Sequence, residues 1–205
     1  MKNTSRPAKS GQTRESILNA AYGLIIRQGY AATSMRQIAE SSGLALGGIY
    51  NHFSSKADVF RAIIQERHPF FRLIPMLSNV SGDTVEEYAR NAAHALVGEL
   101  ARHPEFLNLM LIEIVEFKGK HAPALFEKRL LPMVMPMAQH LQALRGDLRP
   151  IPTFVLARAF LGMFFSYYIT EVLIGRSLPP ELRKINTMDH FVDIFLHGVL
   201  YQEAT

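Results

Sequence analysis

The chain has 205 residues, 48% of them apolar and none of them cysteine. That length and apolar content allow a sizeable core, and a chain without cysteine excludes disulfide frameworks, thiolate metal sites and cysteine nucleophiles while suiting the reducing cytosol. The net charge of +4 is unevenly spread: residues 1–67 hold nine Lys and Arg against four acids, and the rest hold 13 against 14, so the excess sits where a polyanion would be met.

Nearly everything reads as helix, because apolar residues recur at three and four and strand-like alternation is scarce. Residues 1–10 are polar and basic and read as a flexible arm. They carry no apolar h-region and so are not a secretory signal. A first helix is predicted from about Thr13 to Gln28, with Ile17, Leu18, Ala21, Leu24 and Ile25 inward and Gly29 as a left-handed stop. A short helix over Met35–Ser42 follows, capped by Ser34 or Thr33 and closed by Gly43. A second short helix spans about Leu46 to His52. Ser55 caps a fourth helix beginning at Lys56, which Pro69 and Pro75 bend or end.

Longer helices are predicted over 84–102, 104–118, 123–145, 153–175 and 187–203. Pro104 suits a first helical position, Pro132 and Pro136 kink the third of these helices, and residues 176–186 form a loop. The fold class is therefore all-α, with about nine helices. The domains expected are an arm at 1–10, a small domain at 11–67 and a larger one at 68–205. No run reaches ~18 uninterrupted apolar residues. The closest, Phe154 to Gly175, contains Arg158 and Glu171 and reads as a buried or interface helix, so no membrane partner is expected.

Residues 33–53 carry the most specific pattern. Two short helices are joined by a tight turn at Gly43, with Ile38, Ala39, Leu44 and Ile49 placed to pack them together. This is helix-turn-helix geometry, in which the second helix enters the major groove. Gly29-Tyr30, Thr33-Ser34, Ile38-Ala39, Gly43-Leu44, Gly47, Ile49-Tyr50-Asn51-His52-Phe53 and Lys56 together resemble the TetR (tetracycline-repressor) family of bacterial regulators over residues 13–67.

The resemblance implies an N-terminal three-helix DNA-binding domain followed by a C-terminal helical ligand-binding and dimerisation domain. It places Tyr50 and His52 near the DNA backbone and Lys56 on a phosphate. Thr33, Ser34 and Arg36 would approach phosphate from the second helix, whose N-terminus suits an anion in any case. Gly47, Gly48 and Asn51 would face the groove, and the Asn51 amide can match adenine. Lys2, Arg6 and Lys9 would add phosphate or minor-groove contacts. The chain departs from the family pattern at Ala45, Leu46 and Gly48. Gly47 and Gly48 weaken the recognition helix by roughly 1 kcal/mol each relative to Ala, and few base-reading side chains remain, so specificity leans on DNA shape.

In the larger domain, Glu113 and Glu116 interrupt the apolar run from Phe106 to Phe117. A buried carboxylate there could recognise a ligand, pair with Arg158 or face solvent. The Met and aromatic residues from Phe154 to Tyr168 suit core or pocket. The resemblance implies a cavity among the middle helices, for which Met110, Glu113, Phe117, Met163, Phe164, Tyr167 and Tyr168 are the candidates. It also implies a dimer through the last two long helices, for which Phe191, Ile194, Phe195, Gly198, Val199 and Tyr201 are the candidates. The other reading is that this face packs within its own subunit.

No G-x-S-x-G, P-loop or H-E-x-x-H occurs, and the eight histidines form no zinc-like spacing, so neither an enzyme nor a cofactor is expected. The expectation is a cytoplasmic homodimeric repressor, released from a palindromic double-stranded DNA operator by a small-molecule effector. The alternative is an all-α small-molecule-binding protein or enzyme with an incidental basic N-terminus.

Overall fold

The structure is a computed structural model that describes residues 5–144, 146 and 148–200. Its helices in chain order are α1 (Ser5–Gln28), α2 (Met35–Ser42), α3 (Leu46–Tyr50), α4 (Lys56–Arg67), α5 (Phe70–Ser78), α6 (Val85–Arg102), α7 (Glu105–Val115), α8 (Ala122–Leu125), α9 (Leu131–Ala143), α10 (Thr153–Ile174), α11 (Pro180–Arg183) and α12 (Thr187–Val199). The chain forms two compact units. One runs up to Pro69 and also takes Glu105–Lys128, and the other comprises Phe70–Pro104 and the chain from Arg129 onward. The segment carrying α7 and α8 therefore packs with the N-terminal helices rather than with residues 68–205.

The first unit is built around α1, which packs against α2, α4 and α7. Buried in it are Ile17, Leu18, Ala21 and Ile25 of α1, Ile38 and Ala39 of α2, Ile49 of α3, Val59, Phe60, Ala62, Ile63 and Ile64 of α4, and Phe106 and Leu109 of α7. Helix α1 starts at Ser5 rather than near Thr13, so residues 5–10 of the expected arm are helical. Lys2 lies outside the described residues, as do the side chains of Arg6 and Lys9. Helix α4 ends where expected: His68, before Pro69, takes an extended conformation because the proline ring disfavours the helical region for the preceding residue.

Caps fix the boundaries of α2. The Ser34 hydroxyl accepts from the Gln37 backbone N–H at 3.2 Å, and the Gln37 side-chain oxygen accepts from the Ser34 N–H at 2.8 Å. This reciprocal pair satisfies two donors that the helix start leaves open. Gly43 ends α2 at φ 71°, and a Cβ added there would meet open space. Gly43→Ala is therefore expected to cost about 1–2 kcal/mol from backbone strain alone, read as a lower urea midpoint with an unchanged slope.

In the second unit, Pro75 lies inside α5 instead of ending a helix. Burial of Leu73, Ile74 and Leu77 on one face outweighs the hydrogen bond that the proline removes. The expected single kinked helix over 123–145 is instead α8, a π-helical turn at Phe126–Leu130, and α9. Pro132, at the start of α9, has no N–H to continue the regular ladder, whereas Pro136 lies inside α9. Residues 176–186, expected as loop, hold a 3-10 turn at Gly175–Ser177 and the short α11.

Helices α6 and α12 are joined by Arg90, whose guanidinium lies 3.0 Å from Asp193 and 3.5 Å from Asp189. On α12, Met188, Val192, Phe195, Leu196 and Val199 face the interior. Phe195 and Val199 are thus core residues, contrary to their assignment to a dimer face, because the apolar stripe of α12 is covered by its own unit. Phe191 is half-buried against the Tyr167 ring at 5.1 Å. Ile194 is 62% exposed, Gly198 is exposed, and Tyr201 lies outside the described residues. Helix α10 leaves Phe154, Val155, Val172, Leu173 and Ile174 exposed. With the turn that follows, it is long and apolar enough to cross a membrane by length and composition, although little of it is buried.

Candidate nucleic-acid interface and apolar cavity

The inner sides of α2 and α3 are sealed by Ile38, Ala39 and Ile49, with Phe53 behind them. Their outer sides present Ser34, Arg36, Gly47, Tyr50 and Asn51, all exposed, while Gly48 and His52 are half-buried. Helix α3 is one short turn; Ala45 at its N-cap makes no side-chain bond, and it ends at Tyr50, two residues before the expected end. A Cβ would meet nothing at Gly47 and only Leu44 at 4.0 Å at Gly48. Neither glycine is required by packing within the chain. Both leave backbone bare on the exposed side, where another chain could approach closely. Leu46, 40% exposed, adds an apolar contact to the same helix.

Arg36 is exposed and forms only a 3.4 Å pair with Glu40, an exposed geometry worth about 0–1 kcal/mol. Three other arginines of this unit are neutralised within it. Arg14 forms a two-pronged pair with Glu66 at 2.6 and 2.5 Å, Arg67 binds Glu15 at 2.5 Å, and Arg61 binds Asp58 at 2.7 Å. The charge presented outward is smaller than the sequence count suggests.

Two of the residues expected at phosphate have partners within the chain. Thr33 is buried, and its hydroxyl donates to the Gly29 carbonyl at 2.8 Å, so it ties the turn after α1 instead of facing outward. Lys56 directs its ammonium at the Tyr30 carbonyl at 2.6 Å and the Ala31 carbonyl at 3.3 Å, and its nitrogen sits 4.2 Å from the centre of the Tyr30 ring. Burial pushes its pKa down, and the nearby Glu116 carboxylate opposes that shift. Lys56 thus neutralises the turn that follows the C-terminus of α1 and fixes the start of α4. The sequence pattern includes Tyr30 but not its contact with Lys56; burial is the main cause that pushes its phenol up.

The expected ligand residues divide between the two units. Met110, Glu113 and Phe117 belong to the first unit, where Glu113 binds His121 and Phe117 stacks on Phe60. Phe164 is fully buried against Phe160 and Phe195, Tyr168 is buried, Met163 is half-buried, and the Tyr167 hydroxyl lies 3.2 Å from that of Thr187. The second unit instead holds a cavity of about 50 Å³ lined by none of these seven. Its walls come from Leu77 of α5, Tyr88 and Ala89 of α6, Met137 and Leu141 of α9, Leu156, Ala157 and Phe160 of α10, and Phe195 and Val199 of α12. The Tyr88 hydroxyl donates to the Leu77 carbonyl at 3.0 Å. Burial pushes that phenol up to about 12, so it stays neutral. Thr153, the other polar residue of the wall, accepts from Gln142 at 3.1 Å.

A capped α2, a left-handed glycine turn and a short exposed α3 on a sealed apolar base define a helix-turn-helix protein of the DNA-binding class. Residues 17–63 match the family described as bacterial regulatory proteins, tetR family. Over 63 residues the chain is 35% identical to the HTH-type transcriptional regulator SrpR of Pseudomonas putida, a match covering 30% of each chain. Over 195 residues, 91% of this chain and 97% of the other, it is 22% identical to the uncharacterized HTH-type transcriptional regulator YvkB of Bacillus subtilis. The fold is similar to the crystal structure of a TetR family transcription regulator from Marinobacter aquaeolei, with a TM-score of 0.62 at 16% identity over 96% of this chain and all of that one. Residues 17–63 therefore carry a DNA-binding domain similar to that of the TetR-family regulators, and the chain shares their fold.

Proposed function

We propose that the chain is a cytoplasmic repressor that binds a palindromic operator as a homodimer and leaves it when an uncharged, hydrocarbon-rich small molecule enters the cavity of the second unit. The observation that carries this reading is the single exposed face made by Ser34, Arg36, Tyr50 and Asn51 over the buried Ile38, Ala39 and Ile49. Donors at the start of α2 and the Tyr50 hydroxyl suit phosphates, and the Asn51 amide suits an adenine edge. A second copy is the occupant that suits the exposed apolar side of α10 with Ile194 and Gly198. Two such copies would set two α3 helices about 34–36 Å apart, one turn of B-form DNA, or a multiple of that.

Duplexes selected from a random pool by the wild-type protein test this reading. The bound species should contain two chains by sedimentation, and affinity should fall steeply with salt. Tyr50→Ala is expected to weaken every selected duplex by about tenfold, the equivalent of one lost hydrogen bond, while leaving the dimer intact. Selection of no duplex at low salt would defeat the proposal.

The cavity wall dictates the effector chemistry. An ion entering it would lose its hydration with no partner of opposite charge among the lining residues. Thermal melts with octanol, octanoate and octylamine separate charge from chain length. Octanol should raise the melting temperature in proportion to ln(1 + [L]/Kd) and lower DNA affinity. The two ions should do neither. Ala157→Phe, which fills the cavity, should abolish the octanol response. Stabilisation by an ion, or octanol binding that survives filling, would exclude this cavity as the effector site. The effector acts only through its different affinity for the DNA-competent and released states.

A further inference from the structure

Glu105–Lys128 comes between two stretches of the second unit in sequence and yet packs with the first. What it delivers to the helix-turn-helix unit is one aromatic ring. Phe117 lies flat on Phe60, with centroids 4.7 Å apart and 5° between planes, and meets Tyr30 edge-on at 4.9 Å. Phe60 is the fully buried centre of α4, and the Tyr30 carbonyl receives the ammonium of Lys56, the first residue of α4. Phe117 therefore touches both sides of the junction between α1 and α4.

A second set of contacts holds Phe117 in place. Lys118 at φ 53° and Gly119 at φ 72° reverse the chain directly after it. A lysine in the left-handed region costs about 1 kcal/mol and persists only where its surroundings impose it. The Gly119 N–H donates to the Glu113 carbonyl at 3.0 Å. One Glu113 carboxylate oxygen accepts from the His121 backbone N–H at 2.7 Å, and the other lies 2.8 Å from His121 Nδ1. A carboxylate only accepts, so Nδ1 carries the hydrogen. Both side chains are buried, and the His121 ring lies 4.9 Å from Phe117. Burying such a pair costs desolvation that an apolar pair would not, so core packing alone gives no reason for it.

We propose that Phe117, keyed by the Glu113–His121 clamp, is the positioning residue that sets α4, and with it α2 and α3, in the DNA-reading pose. The proposal rests on the DNA-binding reading above.

The test uses the full chain and a duplex that the wild-type protein has selected from a random pool. Phe117→Ala should lower affinity by about tenfold, the upper end of what one aromatic pair contributes, at a temperature where circular dichroism shows native helix. The salt slope should not change, because no phosphate contact is lost. Phe117→Tyr keeps the flat ring and should restore binding. Glu113→Ala should lower affinity by a similar factor and add little in the double variant, as expected of one coupled device. If Phe117→Ala is unfolded, Phe117→Leu replaces it, with a smaller loss expected. Wild-type affinity in a Phe117 variant that only melts earlier would reduce the ring to packing and overturn the proposal. Fully additive losses would overturn the keyed clamp. A wild-type protein that selects no duplex would remove the DNA-binding reading itself, and the proposal with it.

Discussion

Phe60→Ala is expected to be the most destabilising of the substitutions considered, at about 3–5 kcal/mol. The ring is fully buried in the first unit. Tyr30 meets it edge-on at 5.3 Å, Phe117 stacks on it, and His121 lies 6.2 Å away. Truncation removes the transfer free energy of the ring and leaves a void beside these three rings. Tyr30 and Phe117 would have to collapse into that void, but the Lys56 contacts to the Tyr30 and Ala31 carbonyls and the Glu113–His121 clamp hold their backbones. Total stabilities of domains run about 5–15 kcal/mol, so the variant should lose about a fifth of its stability or more. Urea unfolding of the full chain reads the loss as a fall in midpoint. Phe60→Leu, which fills most of the space without a flat face, should recover over half of it. A loss below about 1 kcal/mol for Phe60→Ala would mean that the Phe60 ring is not packed in the core of this unit.

The same cluster shows which parts of the fold were legible from sequence. The faces of α1, α2 and α4 were readable because Ile17, Ala21, Ile38 and Phe60 recur with helical period beside polar neighbours. The ends of α2 were readable because Ser34 and Gly43 are chemically suited to caps. Thr33 was misread because its hydroxyl can cap as well as that of Ser34; only the three-dimensional turn places it against the Gly29 carbonyl. Lys56 was ambiguous for a related reason. A lysine at a helix start can serve a phosphate or a carbonyl, and its chosen partner lies 26 residues away.

Periodicity says which side of a helix is apolar, not what covers it. That is why α7, apolar on several sides, was assigned to a ligand cavity, whereas Phe106 and Leu109 pack in the first unit and Leu111, Ile114 and Val115 are exposed. Helix α10 is apolar all round, so nothing in its sequence separated the side at the cavity, with Leu156, Ala157 and Phe160, from the exposed side with Val155 and Leu173. The helices and the DNA-binding class rest on local chemistry. The cavity rests on long-range packing, and the clamp on the chain reversal at Lys118 and Gly119, neither of which helical periodicity specifies.

The pH dependence of stability should be governed in one window by His68. This histidine ends α4, is buried, and has its ring 5.9 Å from that of Phe106. Burial pushes its pKa down from 6.5 to about 4. Between those values the unfolded chain takes up a proton that the native state refuses. The unfolded state then binds more protons, so stability rises with pH across this window and is lost as pH falls from about 6.5 to about 4. At 1.36 kcal/mol per unit, the full difference amounts to about 3 kcal/mol. Asp58, whose pKa is held below its usual value chiefly by hydrogen bonds from Ser54 and Ser55, shifts stability in the same direction, but only below the His68 window, where the carboxylate begins to protonate. Urea unfolding at a series of pH values from 7 to 4 separates the two groups. The wild type should weaken progressively below pH 6.5. His68→Gln, which cannot take up a proton, should be less stable than the wild type at pH 7 and nearly flat across the window. An equally steep loss in that variant would assign the dependence to other groups. A flat wild-type profile would mean that water reaches the imidazole and that the end of α4 is more open than its burial indicates.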